Sequence, residues 1–557
     1  MRKPIASFVL AAAVSMAACM PAKADKHEKQ AEQVREMPDE APQLIVAIAV
    51  DQLSADLFAQ YRSHFTGGFA RLAQGAVFPS GFQSHAATET CPGHSTLLTG
   101  VHPARSGIIA NNWYAPSMAR ADKRVYCAED VTDAQSTSRN PVVSARHLKV
   151  PTLGERLKLA NPASRNVAVS GKDRAAMMMG GQKTDAVYWW NGSGFATLKG
   201  RELSPVAEKE NRKISKVIAR GEKAFVVPEW CESRDHETPV GDFTIGTWKF
   251  PLPRGEAHAF QTSPRFDEAT LDVALGLVED MDLGRGQVPD TLSISFSATD
   301  YIGHAFGHEG VEMCIQLAEL DKTIGRLFAE LDKRGIDYVA VLSSDHGAID
   351  APERLSQQAY PRATRADASL SIDALGKAVT EKTGIKPSSG PLLLGSGGSG
   401  DIYVTAQLGT AEKARVIKAL VDNLRRNAQV AEVFTAQELA EAALPSGSPQ
   451  DWSLKERARA SFDAKRSGDV IVMLERAVVP VTPRPGLTTT HGSPWDYDRR
   501  VPILFWRRGI TGFEQPAPVE TIDIAPTLAA LLHLTVPENA FDGRCLDIDG
   551  SAANICE

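Results

Sequence analysis

A doubly wound α/β fold, with a mostly parallel central sheet and cap segments inserted over one end, is what this sequence predicts. Three observations carry the prediction. Short, wholly apolar runs such as LIVAIAV (Leu44–Val50) have the length and composition of strands buried on both faces. Amphipathic stretches lie between them. In the clearest, Met313, Leu317, Leu320, Ile324, Leu327 and Leu331 recur at the spacing of one helix face. Acidic and imidazole side chains follow the strand-like runs directly, where open α/β sheets gather their ligands.

Residues 1–24, MRKPIASFVLAAAVSMAACMPAKA, have a basic start, an apolar centre and an Ala-Lys-Ala end. They read as a secretory signal peptide cleaved before Asp25, and the apolar part is too short to span a membrane comfortably. A lipoprotein-type cleavage at Cys19 is the second reading. The protein is therefore expected to be exported, periplasmic or extracellular, with no transmembrane segment. Loss of Arg2, Lys3 and Lys23 takes the formal net charge from −7 to −10, so no nucleic-acid partner is expected. Outside the leader the cysteines are Cys91, Cys127, Cys231, Cys314, Cys545 and Cys556, and an oxidising compartment favours pairing them. Cys545 and Cys556 bracket a short loop. The other two pairs are not fixed by sequence; Cys91–Cys127 and Cys231–Cys314 is the expected arrangement.

The first strand, Leu44–Val50, ends at Asp51. The stretch Ala87–Gly100, ATETCPGHSTLLTG, is too poor in bulk for a buried strand and becomes helix-friendly after Pro92. It reads as a loop opening a helix whose free N–H groups favour an anion, although a plain capped helix start has the same composition. NVAVS (Asn166–Ser170) is the next strand, followed by Lys172 and Arg174. Residues 183–264 are richer in Gly, Pro and charge and read as a cap insertion. TLSISF (Thr291–Phe296) leads to Asp300 and His304, and YVAVLSS (Tyr338–Ser344) leads to Asp345 and His346. Residues 386–465 read as a second insertion, VIVML (Val470–Leu474) as a further strand of the sheet, and His491 lies in THGS. Each Asp or His alone has an ordinary structural explanation. Together they divide into two groups of three, and Asp with His at an open position suits catalytic zinc. Two such ions about 4 Å apart would clamp a phosphoryl group.

Asp51, Thr90 in TETCPGH, DYIGH, SDHG and THGS occur in the order seen in the alkaline phosphatase superfamily. The chain resembles bacterial secreted alkaline phosphatases with a threonine nucleophile, which are related to nucleotide pyrophosphatase/phosphodiesterases. The resemblance implies an alkaline-phosphatase-like catalytic domain over residues 25–557 and two zinc ions. Asp300, His304 and His491 would hold one; Asp51, Asp345, His346 and Thr90 would hold the other. It implies that Thr90 attacks a small phosphate monoester to form phosphothreonine. Asn111 would bind a phosphoryl oxygen (Asn112 if the register is one residue off). Lys172 and Arg174 would meet the extra charged oxygen that a monoester has and a diester lacks.

Other motifs are set aside. GSGGSG (Gly395–Gly400) precedes a strand-like run rather than a helix, so it does not read as a dinucleotide site. Asn191-Gly192-Ser193 fits a glycosylation acceptor, but the leader is bacterial in type. Cys91-Pro92-Gly93-His94 lacks the Cys-x-Pro-x-Arg pattern of sulfatases. His308 is read as a surface histidine, with a place behind the metal ligands as the alternative. A phosphodiesterase on the same site, or a non-enzymatic exported metal- or ligand-binding protein, are the competing functions. The oligomeric state is not legible.

Overall fold

The computed structural model describes residue 1, residues 37–551 and residues 554–556, and residues 2–24 of the expected leader (1–24) lie outside them. The principal sheet has ten strands. Its main strands are β1 (Leu44–Val50), β2 (Ala76–Phe82), β3 (Asn166–Ser170), β4 (Ala186–Trp190), β5 (Asp290–Phe296), β6 (Tyr338–Ser343) and β7 (Arg500–Arg507). Across the sheet they run β2-β7-β6-β1-β5-β3-β4, with short strands at both edges. The central block β6-β1-β5-β3-β4 is parallel throughout, and β7 is antiparallel to both neighbours.

Alternation along β1 accounts for the layers. Leu44, Val46, Ile48 and Val50 enter one core, whereas Ile45, Ala47 and Ala49 enter the other. A strand with two apolar faces needs helices on both sides. One face is covered mainly by α3 (Arg265–Asp280) and α5 (Val311–Lys333), with α1 (Thr90–Thr99) and α6 (Ile524–Leu531) on the other. Between these in sequence lie α2 (Asp173–Gly180) and α4 (Ala298–Phe306), each starting just beyond a parallel strand. The six helical positions expected from Met313 to Leu331 are all buried in α5.

Two expectations are corrected. Val470–Leu474 is not in the main sheet; it pairs antiparallel with Gly400–Val404 and Val430–Thr435 in a separate four-stranded sheet. That sheet has its own core with the helices Ile372–Thr383 and Thr410–Leu424. An apolar run announces a buried strand but not its sheet. Nor do residues 183–264 begin outside the main sheet. Ala186–Trp190 pairs parallel with β3, its five residues buried, before the chain leaves for a long helix at Pro205–Arg220. The glycine-rich Gly395–Gly400 turn joins two antiparallel strands. All three expected cysteine pairs are disulfides. Among the described residues no helix is long and apolar enough to cross a membrane.

Candidate active site

Strand register brings the chemistry together. β1, β5, β6 and β3 are aligned so that Val50, Phe296, Ser343 and Ser170 finish close to one level. The residues that follow them therefore meet at one end of the sheet. Asp51 is pinned there by its N–H, which donates to the Phe296 carbonyl at 2.9 Å. Asp300 and His304 project from α4 one turn apart. The start of α4 is held by Asp267 of α3, whose Oδ1 accepts from the N–H groups of Ser297 (2.9 Å) and Ala298 (3.0 Å).

Three histidines share one orientation. The Nδ1 atoms of His304, His346 and His491 lie 2.9, 2.9 and 2.8 Å from the carbonyls of Thr489, Gly347 and Thr88. A carbonyl only accepts, so each Nδ1 carries a proton and Nε2 is the nitrogen left to bind an ion. Burial opposes charge on His304, but Asp300 outweighs it and holds that imidazole above its usual range, so its Nε2 gives up a proton when it ligates. His304 Nε2 and His491 Nε2 lie 3.3 and 3.6 Å from Asp300 Oδ1. His346 Nε2 lies 3.3 Å from Asp345 Oδ2 and 3.6 Å from Asp51 Oδ1. A tetrahedral ion with bonds of about 2.0–2.1 Å spaces its ligands roughly 3.3 Å apart, and these four distances are close to that spacing. The trios abut, with the His346 and His491 rings stacked 3.6 Å apart. Burial, reinforced by the neighbouring His346 and His304, holds His491 well below the usual imidazole range and keeps it neutral.

Charge and hydrogen bonding also call for cations. Asp51, Asp300 and Asp345 are all buried, and the cation in direct contact with two of them is Lys172. Asp51 Oδ1, Thr90 Oγ1 and His346 Nε2 are buried without a hydrogen-bond partner. Each such group costs about 1–3 kcal/mol unless something binds it. These atoms come from one of the two ligand sets that the sequence motifs lead one to expect. A second way of grouping the side chains, by the mutual closeness of their ligand atoms, brings His346 together with Asp300 and His491, and His94 together with Asp51 and Asp345. His94 already has partners at both ring nitrogens. Its Nδ1 faces the Thr90 carbonyl (2.9 Å) and Asp345 Oδ2 (3.0 Å), and its Nε2 meets Ser295 Oγ (2.8 Å), so both nitrogens are engaged.

Thr90 is the first residue of α1. Asn111 Oδ1 accepts from the Cys91 N–H at 2.8 Å, and the Asn111 N–H donates to Glu89 at 2.6 Å. The Asn111 Nδ2 group donates to no protein atom among the described residues. The Cys91–Cys127 disulfide ties the residue after Thr90 to the one following Arg124–Tyr126, the strand that pairs with Asn112–Tyr114. Asn112 lies one residue further from Thr90, in that strand. Lys172 Nζ bridges Asp51 Oδ2 (2.6 Å) and Asp300 Oδ2 (2.5 Å). Burial opposes its charge, but Asp300 and Asp51 outweigh that and hold it above the usual lysine range. Arg174 lies among Tyr126, Tyr301, Asp173 and Asp51, with its Nε buried and unpartnered. A cavity of about 260 Å³ opens beside Glu89 and His491 and extends to Tyr114, Asp401 and Tyr403.

His308 is not a surface residue. It is buried, and its Nε2 lies 2.6 Å from Gln52 Oε1. Sequence reasoning also missed Gln52, His94 and Asp267. The only sequence signal for His94 was its place one helical turn after Thr90.

The family model for type I phosphodiesterase / nucleotide pyrophosphatase matches residues 45–494. The chain is 49% identical over 519 residues to alkaline phosphatase PhoK of a Sphingomonas species, covering 92% of each chain. It is 46% identical to alkaline phosphatase PhoD of Zymomonas mobilis, covering 93% of this chain and 90% of that one. The crystal structure of alkaline phosphatase PafA superimposes with a TM-score of 0.79 at 25% identity, covering 92% of this chain and 99% of that one. The chain belongs to the type I phosphodiesterase / nucleotide pyrophosphatase family, within the alkaline phosphatase superfamily its motifs resemble.

Proposed function

We propose that this protein is an exported alkaline phosphatase that hydrolyses small phosphate monoesters through a phosphothreonine intermediate on a two-zinc site. The observation that carries the reading is the buried, unpartnered Thr90 hydroxyl at the start of α1, against a cluster of carboxylates and imidazoles. The alkaline phosphatase names of PhoK and PhoD support the activity. Asp300, His304 and His491 would hold one ion; Asp51, Asp345, His346 and Thr90 Oγ1 would hold the other. Bound zinc would lower the pKa of the Thr90 hydroxyl and offset the charge on the leaving oxygen.

Thr90 Oγ gives its proton to water and attacks phosphorus, the ester P–O bond breaks with its electron pair on the leaving oxygen, and that oxygen takes a proton from water to leave as the alcohol. Water then cleaves the phosphothreonine, releasing inorganic phosphate and restoring the hydroxyl. The free Asn111 amide and Arg174 orient the phosphoryl oxygens, and the N-terminus of α1 faces the charge that develops. The disulfides support an oxidising compartment after export.

Phosphodiesterase activity is the second reading, favoured by the engagement of Lys172 with two carboxylates rather than with open space. Chromogenic monoester and diester substrates separate the two. We expect monoester turnover to dominate, to vanish on chelation and to return with zinc. Dominant diester turnover, or full activity in exhaustively metal-free protein, contradicts the proposal.

A further inference from the structure

One residue touches both ligand groups without belonging to either. Gln52 follows Asp51 directly and is fully buried. Its backbone N–H donates to Asp345 Oδ1 at 3.1 Å, and its side-chain Nε2 donates to Asp300 Oδ1 at 2.7 Å. Asp345 belongs to one trio and Asp300 to the other. Asp300 Oδ1 is also the oxygen that faces His304 and His491.

The amide cannot be turned over. A carboxylate at Asp300 only accepts, so nitrogen must face it and Gln52 Oε1 must face His308. His308 Nε2, 2.6 Å from that oxygen, is therefore the donor. His308 is fixed in turn by its N–H, which donates to Asp350 Oδ1 at 2.9 Å, and Asp350 is paired with the buried Arg354 at 2.8 Å. Burial holds the His308 imidazole down at about 4, so it stays a neutral donor. A Cβ on Gly303 would overlap Gln52 Oε1, so α4 closes the remaining side of the amide.

The backbone of Gln52 is set for this double reach. Its φ is +72°, a left-handed conformation that a non-glycine residue adopts only where its surroundings impose it. That twist turns the N–H towards Asp345 while the side chain reaches Asp300.

We propose that Gln52 is a positioning residue that holds the two metal-ligand groups in register, and that His308 fixes its amide. The proposal rests on the two-metal reading above. Partners of this kind typically change metal affinity or activity 10–100-fold when removed.

The test measures zinc content, zinc affinity by competition with a chromogenic chelator, and kcat and KM together. The proteins are wild type, Gln52→Leu, His308→Phe and His308→Gln. Gln52→Leu is expected to weaken zinc binding about 10–100-fold, and to lower kcat with little change in KM. His308→Phe should move in the same direction. His308→Gln, whose amide can still donate to Gln52, should recover part of the loss. Thermal unfolding of the metal-free proteins separates this from a general loss of fold. Folded Gln52→Leu with wild-type zinc affinity and kcat overturns the proposal. If that variant does not fold, His308→Phe with wild-type affinity overturns it. A wild-type enzyme that turns over without zinc overturns the metal reading itself, and the two failures are told apart on the wild type alone.

Discussion

Lys172 and Arg174 hold unequal positions beside the cluster. Lys172 is engaged on Asp51 and Asp300, whereas Arg174 keeps a buried Nε with no partner. A monoester dianion brings one more charged oxygen than a diester, and cations that meet it act chiefly on monoesters. Two unit charges ~4 Å apart attract by about 4 kcal/mol at an effective dielectric of about 20. If desolvation leaves 2–3 kcal/mol of that, the rate effect is roughly thirty- to hundredfold. The double change Lys172→Ala, Arg174→Ala should therefore lower monoester kcat/KM at least tenfold more than diester kcat/KM in the same preparations; an unchanged ratio refutes this role. These cations, Asp51, Asp300 and Asp345 were legible because each comes soon after a strand-like run, and His491 through THGS alone. His308 and Gln52 were not, because nothing local in GHAFGHEG or beside Asp51 announces a contact 256 positions away.

At the scale of the element, α1 must lie close against Asp345 for Thr90 and the ligands to share one space. Gly93 permits that approach, since an added Cβ would overlap the Asp345 backbone. Backbone cannot swing aside as a side chain can, so Gly93→Ala must displace the helix. We expect Gly93→Ala to cut kcat more than a hundredfold, since misplacement by about 1 Å costs that much. Steady-state kinetics on folded protein checks this, and near-wild-type turnover would mean that the helix is not held there. The Pro-Gly pair in the sequence marked a loop opening a helix, but not the helix's need to touch another strand's end. Val470–Leu474 shows the same boundary: its apolar run was readable, its partners were not, because pairing is decided by distant segments.

At the scale of the whole molecule, the alternation of apolar runs and amphipathic helices was enough to read the layered architecture. The edges were less legible. Ala76–Phe82 carries a proline and a glycine, and Arg500–Arg507 is charged at both ends, so neither reads as an apolar run. Distant parts of the chain are also joined by His102. It sits 3.1 Å from Glu520 and donates its backbone N–H to Asp542 at 2.9 Å. Burial opposes its charge, but bonds to Asp542 and Glu520 outweigh that and raise it to about 9. A folded-state pKa above the unfolded value of about 6.5 stabilises the protein fully below 6.5, and the contribution is lost as pH rises through about 9. The full effect is roughly 3 kcal/mol. His102→Gln should thus lower the Tm clearly at pH 6 and much less at pH 10. An equal loss at both pH values contradicts the linkage.

Phosphothreonine formation at Thr90 is the central step of the proposed function, and rapid acid quenching tests it most directly. The enzyme is mixed with a monoester labelled in its phosphoryl group, quenched within one turnover, digested and mapped. Label is expected on the peptide carrying Thr90, retained in part by Thr90→Ser and lost in Thr90→Ala. Label on any other residue, or full turnover by Thr90→Ala, would contradict the account.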